Sequence, residues 1–105
     1  MELYKGQEAK IYNDERFTKI DMMKNARSQA FYLNFLPGQE MKSHAHPGKE
    51  LYLHVLEGEG TLFVDEKNFS IEENDVIRFA PEEKVGFVND SDQQVTIYGV
   101  MTKLL

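Results

Sequence analysis

The sequence predicts an all-β protein, built as a sandwich or a closed barrel. Three observations carry this. Its apolar residues fall in short runs rich in β-branched and aromatic side chains. Gly, Pro, Asn and Asp separate those runs at turn positions. Only the stretch from Met22 to Ala30 has the rhythm of a helix. Many short strands without helices must bury their apolar faces against one another.

The elements follow in order. Residues 1–16 are polar and mixed, with Ile11-Tyr12 as a short strand. Phe17 to Met23 is the first run, and Ala30 to Leu36 the next, stopped by Pro37-Gly38. Leu51 to Leu56 ends at Glu57-Gly58, read as a structural turn because glycine allows a left-handed backbone. Gly60 to Val64 leads through Asp65-Glu66-Lys67-Asn68, a hairpin turn, into Phe69-Ser70-Ile71. Asp75 to Ala80 stops at Pro81, Val85 to Val88 stops at Asn89-Asp90-Ser91-Asp92, and Gln94 to Met101 follows. No repeat, linker or low-complexity segment interrupts the series, so residues 1–105 read as a single domain.

Composition narrows the function. A net charge of −6 argues against a nucleic-acid partner, since phosphate binding needs clustered Lys and Arg. No apolar run reaches the length that spans a bilayer, and none at the N-terminus resembles a secretion signal, so the expectation is a cytoplasmic protein with no membrane partner. The absence of cysteine removes disulfides, thiolate metal ligands and a Cys nucleophile together. No Gly-rich phosphate loop and no nucleophile elbow is present.

The informative stretch is Pro37 to Gly60, PGQEMKSHAHPGKELYLHVLEGEG. Side chains two apart on a strand share a face, so His44 and His46 are expected side by side. Two imidazoles grip a divalent metal when a third donor joins them. This arrangement resembles the first motif of the cupin superfamily, in particular its small single-domain members. Gly38 stands five residues before His44-Ala45-His46, a three-residue gap leads to Glu50, and Val55-Leu56-Glu57-Gly58-Glu59-Gly60 matches the motif's end. Asn74-Asp75-Val76 resembles the opening of the second motif, with Asn in the place of a glycine and tolerant of the left-handed backbone. Pro81 matches that motif's proline. The resemblance covers residues 30–101. It implies a small jelly-roll barrel, a pocket at its mouth, a homodimer, and a divalent metal (Zn, Mn, Fe or Ni) held by His44, His46 and Glu50.

Two positions depart from the motif. Counted back from Gly58, the carboxylate position falls on Leu51 rather than Glu50. Neighbouring strand residues face opposite sides, so Leu51, Leu53 and Val55 form one face and Glu50, Tyr52 and His54 the other. A one-residue bulge would turn Glu50 toward the histidines; otherwise either face is left for the cavity. The second motif's histidine falls at Gly86, which has no side chain to ligate. His54 is the substitute ligand. Lys42 shares the histidine face of a regular strand, and Arg78 and Tyr52 are the remaining pocket candidates, with Tyr32 and Tyr98 as cavity-lining or packed aromatics. Asn89 or Asp90 reads as a turn residue.

The resemblance therefore implies either of two functions. One is a metal-dependent enzyme, an oxygenase or isomerase, acting on a small polar metabolite. The other is a non-catalytic barrel that binds a sugar or another small molecule around an empty metal site. A third, metal-free reading makes one histidine a general base, which needs an orienting carboxylate.

Overall fold

A computed structural model describes residues 1–104. Among these residues nine strands form two antiparallel sheets. β1 (Thr18–Lys24), β2 (Ser28–Phe35), β3 (Glu40–His44), β4 (Lys49–Glu57), β5 (Glu59–Val64), β6 (Lys67–Glu72), β7 (Val76–Phe79), β8 (Val85–Val88) and β9 (Val95–Lys103) follow one another along the chain. The five-stranded sheet runs β1-β2-β9-β4-β7 and the four-stranded sheet β3-β8-β5-β6. Alternate residues of these strands face inward, and their apolar side chains meet in a single core. Phe31, Leu33, Phe35, Leu51, Leu53 and Val55 come from one sheet, and Leu62, Ile71, Val85 and Phe87 from the other. Phe35 is the pivot: its ring stacks on Phe17 at 5.0 Å and tilts against Phe87 at 4.8 Å, bridging the sheets.

The turns follow local chemistry. Asp65 takes a positive φ of 54° in the two-residue turn joining β5 to β6, where Val64 pairs with Lys67. Asn74 has φ 81°, the left-handed conformation expected of it. Gly58 has φ 85°, and a Cβ there would lie 2.6 Å from the Gln94 carbonyl, so only glycine fits between β4 and β5. Asn89 is fully buried. Its amide donates to the carbonyls of Phe35 and Gln93, and its oxygen accepts from Ser91, which makes it a turn residue with every polar atom partnered.

Two local expectations are corrected. Met22 to Ala30 is not helical but the hairpin from β1 to β2: the Asn25 side chain accepts from the backbone N–H of Arg27 and Ser28 and closes the turn. Ile11-Tyr12 is not a strand. The segment instead forms a short 3-10 turn at Gly6–Ala9 and packs on the outer face of the five-stranded sheet. There Ala9 is buried, its carbonyl accepts from Asn34, Tyr12 bonds Thr96, and Lys10 pairs with Glu57 at 2.6 Å.

No helix among the described residues is long and apolar enough to cross a membrane.

Candidate functional site

β3 and the loop that follows it carry the histidines. The ladder between β3 and β8 breaks between Met41 and His44, a bulge that puts these two residues on one side although an odd number of positions separates them. The bulge removes Lys42 from that side. Lys42 is exposed and contributes its carbonyl oxygen, which lies 2.9 Å from His44 Nδ1. A carbonyl only accepts, so Nδ1 carries a proton and the Nε2 lone pair of a neutral His44 is left for another partner. His46 lies beyond the strand end, yet its ring centroid is 4.6 Å from that of His44. Burial pushes the His46 imidazole below its usual pKa, and the nearby His44, Lys49 and Lys19 act in the same direction.

The two rings open onto a cavity of about 220 Å³ between the sheets. Phe31, Leu33, Leu51, Leu53 and Met101 form its apolar walls, and Lys19, His44 and His46 are its charged or titratable lining. Lys19 Nζ rests 4.8 Å above the centre of the Phe31 ring and 3.5 Å from Asp21 Oδ1.

The register of β4 settles which residues meet the histidines. Leu51, Leu53 and Val55 are buried inward, while Tyr52 is 40% exposed on the opposite face. Glu50 shares that outer face. Its carboxylate accepts from Arg78 at 2.8 Å and from the Tyr52 hydroxyl at 3.0 Å. No bulge intervenes between Glu50 and Val55, because β4 pairs with β9 without interruption from Lys49 to Val55. The expectation that Glu50 joins His44 and His46 is therefore corrected: a regular ladder turns it away, toward a cross-strand arginine. His54 also lies outward, paired with Tyr98 on β9 and Val76 on β7, and is no substitute ligand. Tyr52 and Arg78 belong to this outer cluster rather than to the cavity. Tyr32 and Tyr98 are likewise outer-face neighbours, packed edge to face at 6.0 Å.

The second-motif position is corrected as well. Val85 and Phe87 are buried inward, so Gly86 points out of the barrel. A Cβ on Gly86 would lie 2.5 Å from Ser43 Oγ and 3.1 Å from the Met41 carbonyl. The inward residue paired with His44 is Val85. The donor set thus does not fit the divalent metal that the fold implies. Leu51 stands in the carboxylate register, Val85 stands opposite His44, and among the described residues no three His, Cys, Asp or Glu side chains converge.

Sequence reasoning missed Lys19, Met41 and Met101. Lys19 and Asp21 alternate with Ile20 and Met22, a pattern that reads as a solvated face. On the edge strand β1 the charged face is the inner one, since Lys19 pairs with Leu33 and Asp21 with Phe31. A larger, open groove of about 470 Å³ on the four-stranded sheet is lined by Glu59, Glu72, Asp75 and Asp90. It carries no imidazole, and Asp75 and Asp90 are already bonded to the Glu72 N–H and Thr61.

The comparisons agree with this architecture. The cupin domain family matches residues 31–101. A Thermus thermophilus protein of known structure superposes with a TM-score of 0.91 at 25% identity, over 98% of each chain. A conserved Klebsiella pneumoniae protein with a double-stranded β-helix domain gives 0.92 at 17% identity, over 98% of this chain and 90% of its own. An RmlC-like cupin from Desulfovibrio desulfuricans gives 0.79 at 25% identity, over 94% of this chain and 95% of its own. No curated protein matches the sequence. The matched segment runs from the first core residue of β2 to the last of β9 and contains both histidines and the whole cavity wall on β4, and on that basis the chain belongs to the cupin domain family.

Proposed function

We propose that this small cupin is a binding protein for a compact organic molecule, held in the barrel cavity, and that it does not depend on a resident metal. The observation that carries the reading is the side chain of Leu51, which occupies the cavity wall where a metal-binding cupin of this spacing needs a carboxylate. Two imidazoles without a third donor hold a divalent ion weakly. The same two imidazoles suit the polar end of an organic ligand: His44 offers Nε2, and half-buried His46 offers a nitrogen at the rim. The remaining wall is apolar, the usual makeup of a small-molecule site, with a few polar groups placed to fix orientation.

The test combines metal content with ligand titration. Protein purified without a tag and incubated with Zn, Mn, Fe or Ni is expected to retain much less than one equivalent after dialysis. Titration with small aromatic molecules is expected to move the methyl resonances of Met41 and Met101, which face the cavity. One tightly held metal per chain, lost in His44→Ala, would overturn the reading and restore the metal-dependent one.

A further inference from the structure

Resting on that binding reading, we infer that the cavity selects a monoanion, a carboxylate with an apolar body about the size of a single aromatic ring, whose charged end is held by Lys19 together with His44 and His46. The first argument is the sign of the lining. Lys19, His44 and His46 line the cavity, and among the described residues no Asp or Glu does. The sheet register contributes to this asymmetry, because Glu50, next to the wall residue Leu51, is turned outward and engaged by Arg78. Asp21 is the nearest other acid. It does not line the cavity; its Oδ1 accepts from Gln29 Nε2 at 2.6 Å and lies 3.5 Å from Lys19 Nζ, an exposed pair with which an incoming carboxylate would compete.

The second argument is the placement of Lys19. Its ammonium group sits over the Phe31 ring, which is itself a cavity wall. The charge is thereby stationed at the mouth, solvent-accessible but beside an apolar wall. A carboxylate at the mouth would meet that ammonium and the imidazoles through charge-assisted hydrogen bonds. The rest of the molecule would lie against Phe31, Leu51, Leu53 and Met101. The third argument is size. An apolar cavity of about 150 Å³ accommodates benzene. At about 220 Å³ this one has room for a ring plus a short polar substituent. A sugar would leave the apolar walls unmatched, and a cationic ligand would meet no carboxylate among the described residues that line the cavity.

The experiment titrates the full chain with benzoate and with its near-isosteric neutral counterpart benzamide, by calorimetry and by Met methyl resonances, for wild type and Lys19→Met. Wild type is expected to bind benzoate at least tenfold more tightly than benzamide, since hydrogen bonds to charged groups discriminate on that scale. Lys19→Met is expected to remove about tenfold of the benzoate affinity and to leave benzamide unchanged, because Lys19 is exposed and its stem is replaced by a similar one. Equal affinities for acid and amide, or an unaltered benzoate affinity in Lys19→Met, would overturn the anion inference while leaving the pocket reading standing. Binding of neither compound would sink both. Tighter binding of benzylamine than of benzoate would reverse the assigned sign and overturn the inference.

Discussion

The two faces of β4 are written in alternate residues of one nine-residue strand, yet they belong to different kinds of chemistry. The inner face, Leu51, Leu53 and Val55, is apolar and almost fully buried. The outer face, Glu50, Tyr52 and His54, is polar, and two of its members form a surface cluster with Arg78. In a metal-binding relative of this spacing the inner face would carry the carboxylate. Here the acid stands one residue early. A displacement of one position along a strand moves a side chain through the sheet to the opposite surface. The difference between a metal ligand and a surface ion pair is therefore a matter of register and not of composition.

The strongest way to break this comparison is to put the acid back. Leu51→Glu should create two imidazoles and a carboxylate on one side and raise Zn or Ni affinity by tenfold or more, read by calorimetry. The apo variant should melt well below wild type, because an ionised carboxylate in that apolar wall lacks a partner, and added metal should restore part of the loss. No gain in affinity would mean that Leu51 does not face the histidines. Next in size, Leu53→Ala should cost about 2–5 kcal/mol in denaturant unfolding, the range for an aliphatic residue deleted from a packed core. Gly86→His should destabilise by about 1–3 kcal/mol through the crowding against Ser43 and Met41, with no gain in metal affinity. A gain would place residue 86 inside the barrel and contradict the burial of Val85 and Phe87.

Smaller effects sharpen the contrast. Glu50→Gln should leave metal and ligand titrations unchanged and cost less than about 1 kcal/mol, since Arg78 is mostly exposed and such pairs contribute little. The smallest effect is in the pH profile. The His46 pKa is lowered in the folded state, first by burial and then by His44, Lys49 and Lys19. The unfolded chain therefore takes up this proton first as the pH falls below the ordinary histidine value of 6.5. Stability is fully present above that value and declines as the pH drops toward the folded pKa. His46→Gln should flatten that part of the profile, measured as melting temperature against pH. If wild type and variant have the same slope, the burial of His46 is not felt energetically.

Much of the fold could be read from the sequence because its signals are local. The turn at Asp65, the left-handed Asn74 and the forced Gly58 each follow from the chemistry of one or two residues. Val85 to Val88 coincides with β8, and the other runs shift by only a few residues. The failures occurred where the answer depended on partners distant in sequence. The hairpin around Asn25 reads as helical rhythm because both periods agree over so short a stretch. Lys19 does not stand out in the sequence because alternation alone does not say which face of an edge strand meets the core. Lys42 was misplaced by a bulge that exists only in the pairing of β3 with β8. For the site, the histidine pair was legible, while the orientation of Glu50 required the ladder to β9. The motif spacing pointed both ways, and the unbroken register chose.

The strand order has a consequence for how the chain folds. β9, the last strand in sequence, lies at the centre of the five-stranded sheet, with β2 on one side and β4 on the other. Ser28 pairs with Thr102 and Phe35 with Val95, so the sheet closes over most of the chain's length. Until residues 95–103 are in place, β2 and β4 each expose an unsatisfied inner edge, and the cavity has no Met101 wall. Local hairpins such as β5–β6 can form early, but the barrel has no stable half. Assembly should therefore be late, cooperative and comparatively slow, with loop closure forming the larger part of the barrier. A chain shortened before β9 should not keep a partial pocket. It should lose the whole binding site at once and present two open strand edges to its neighbours.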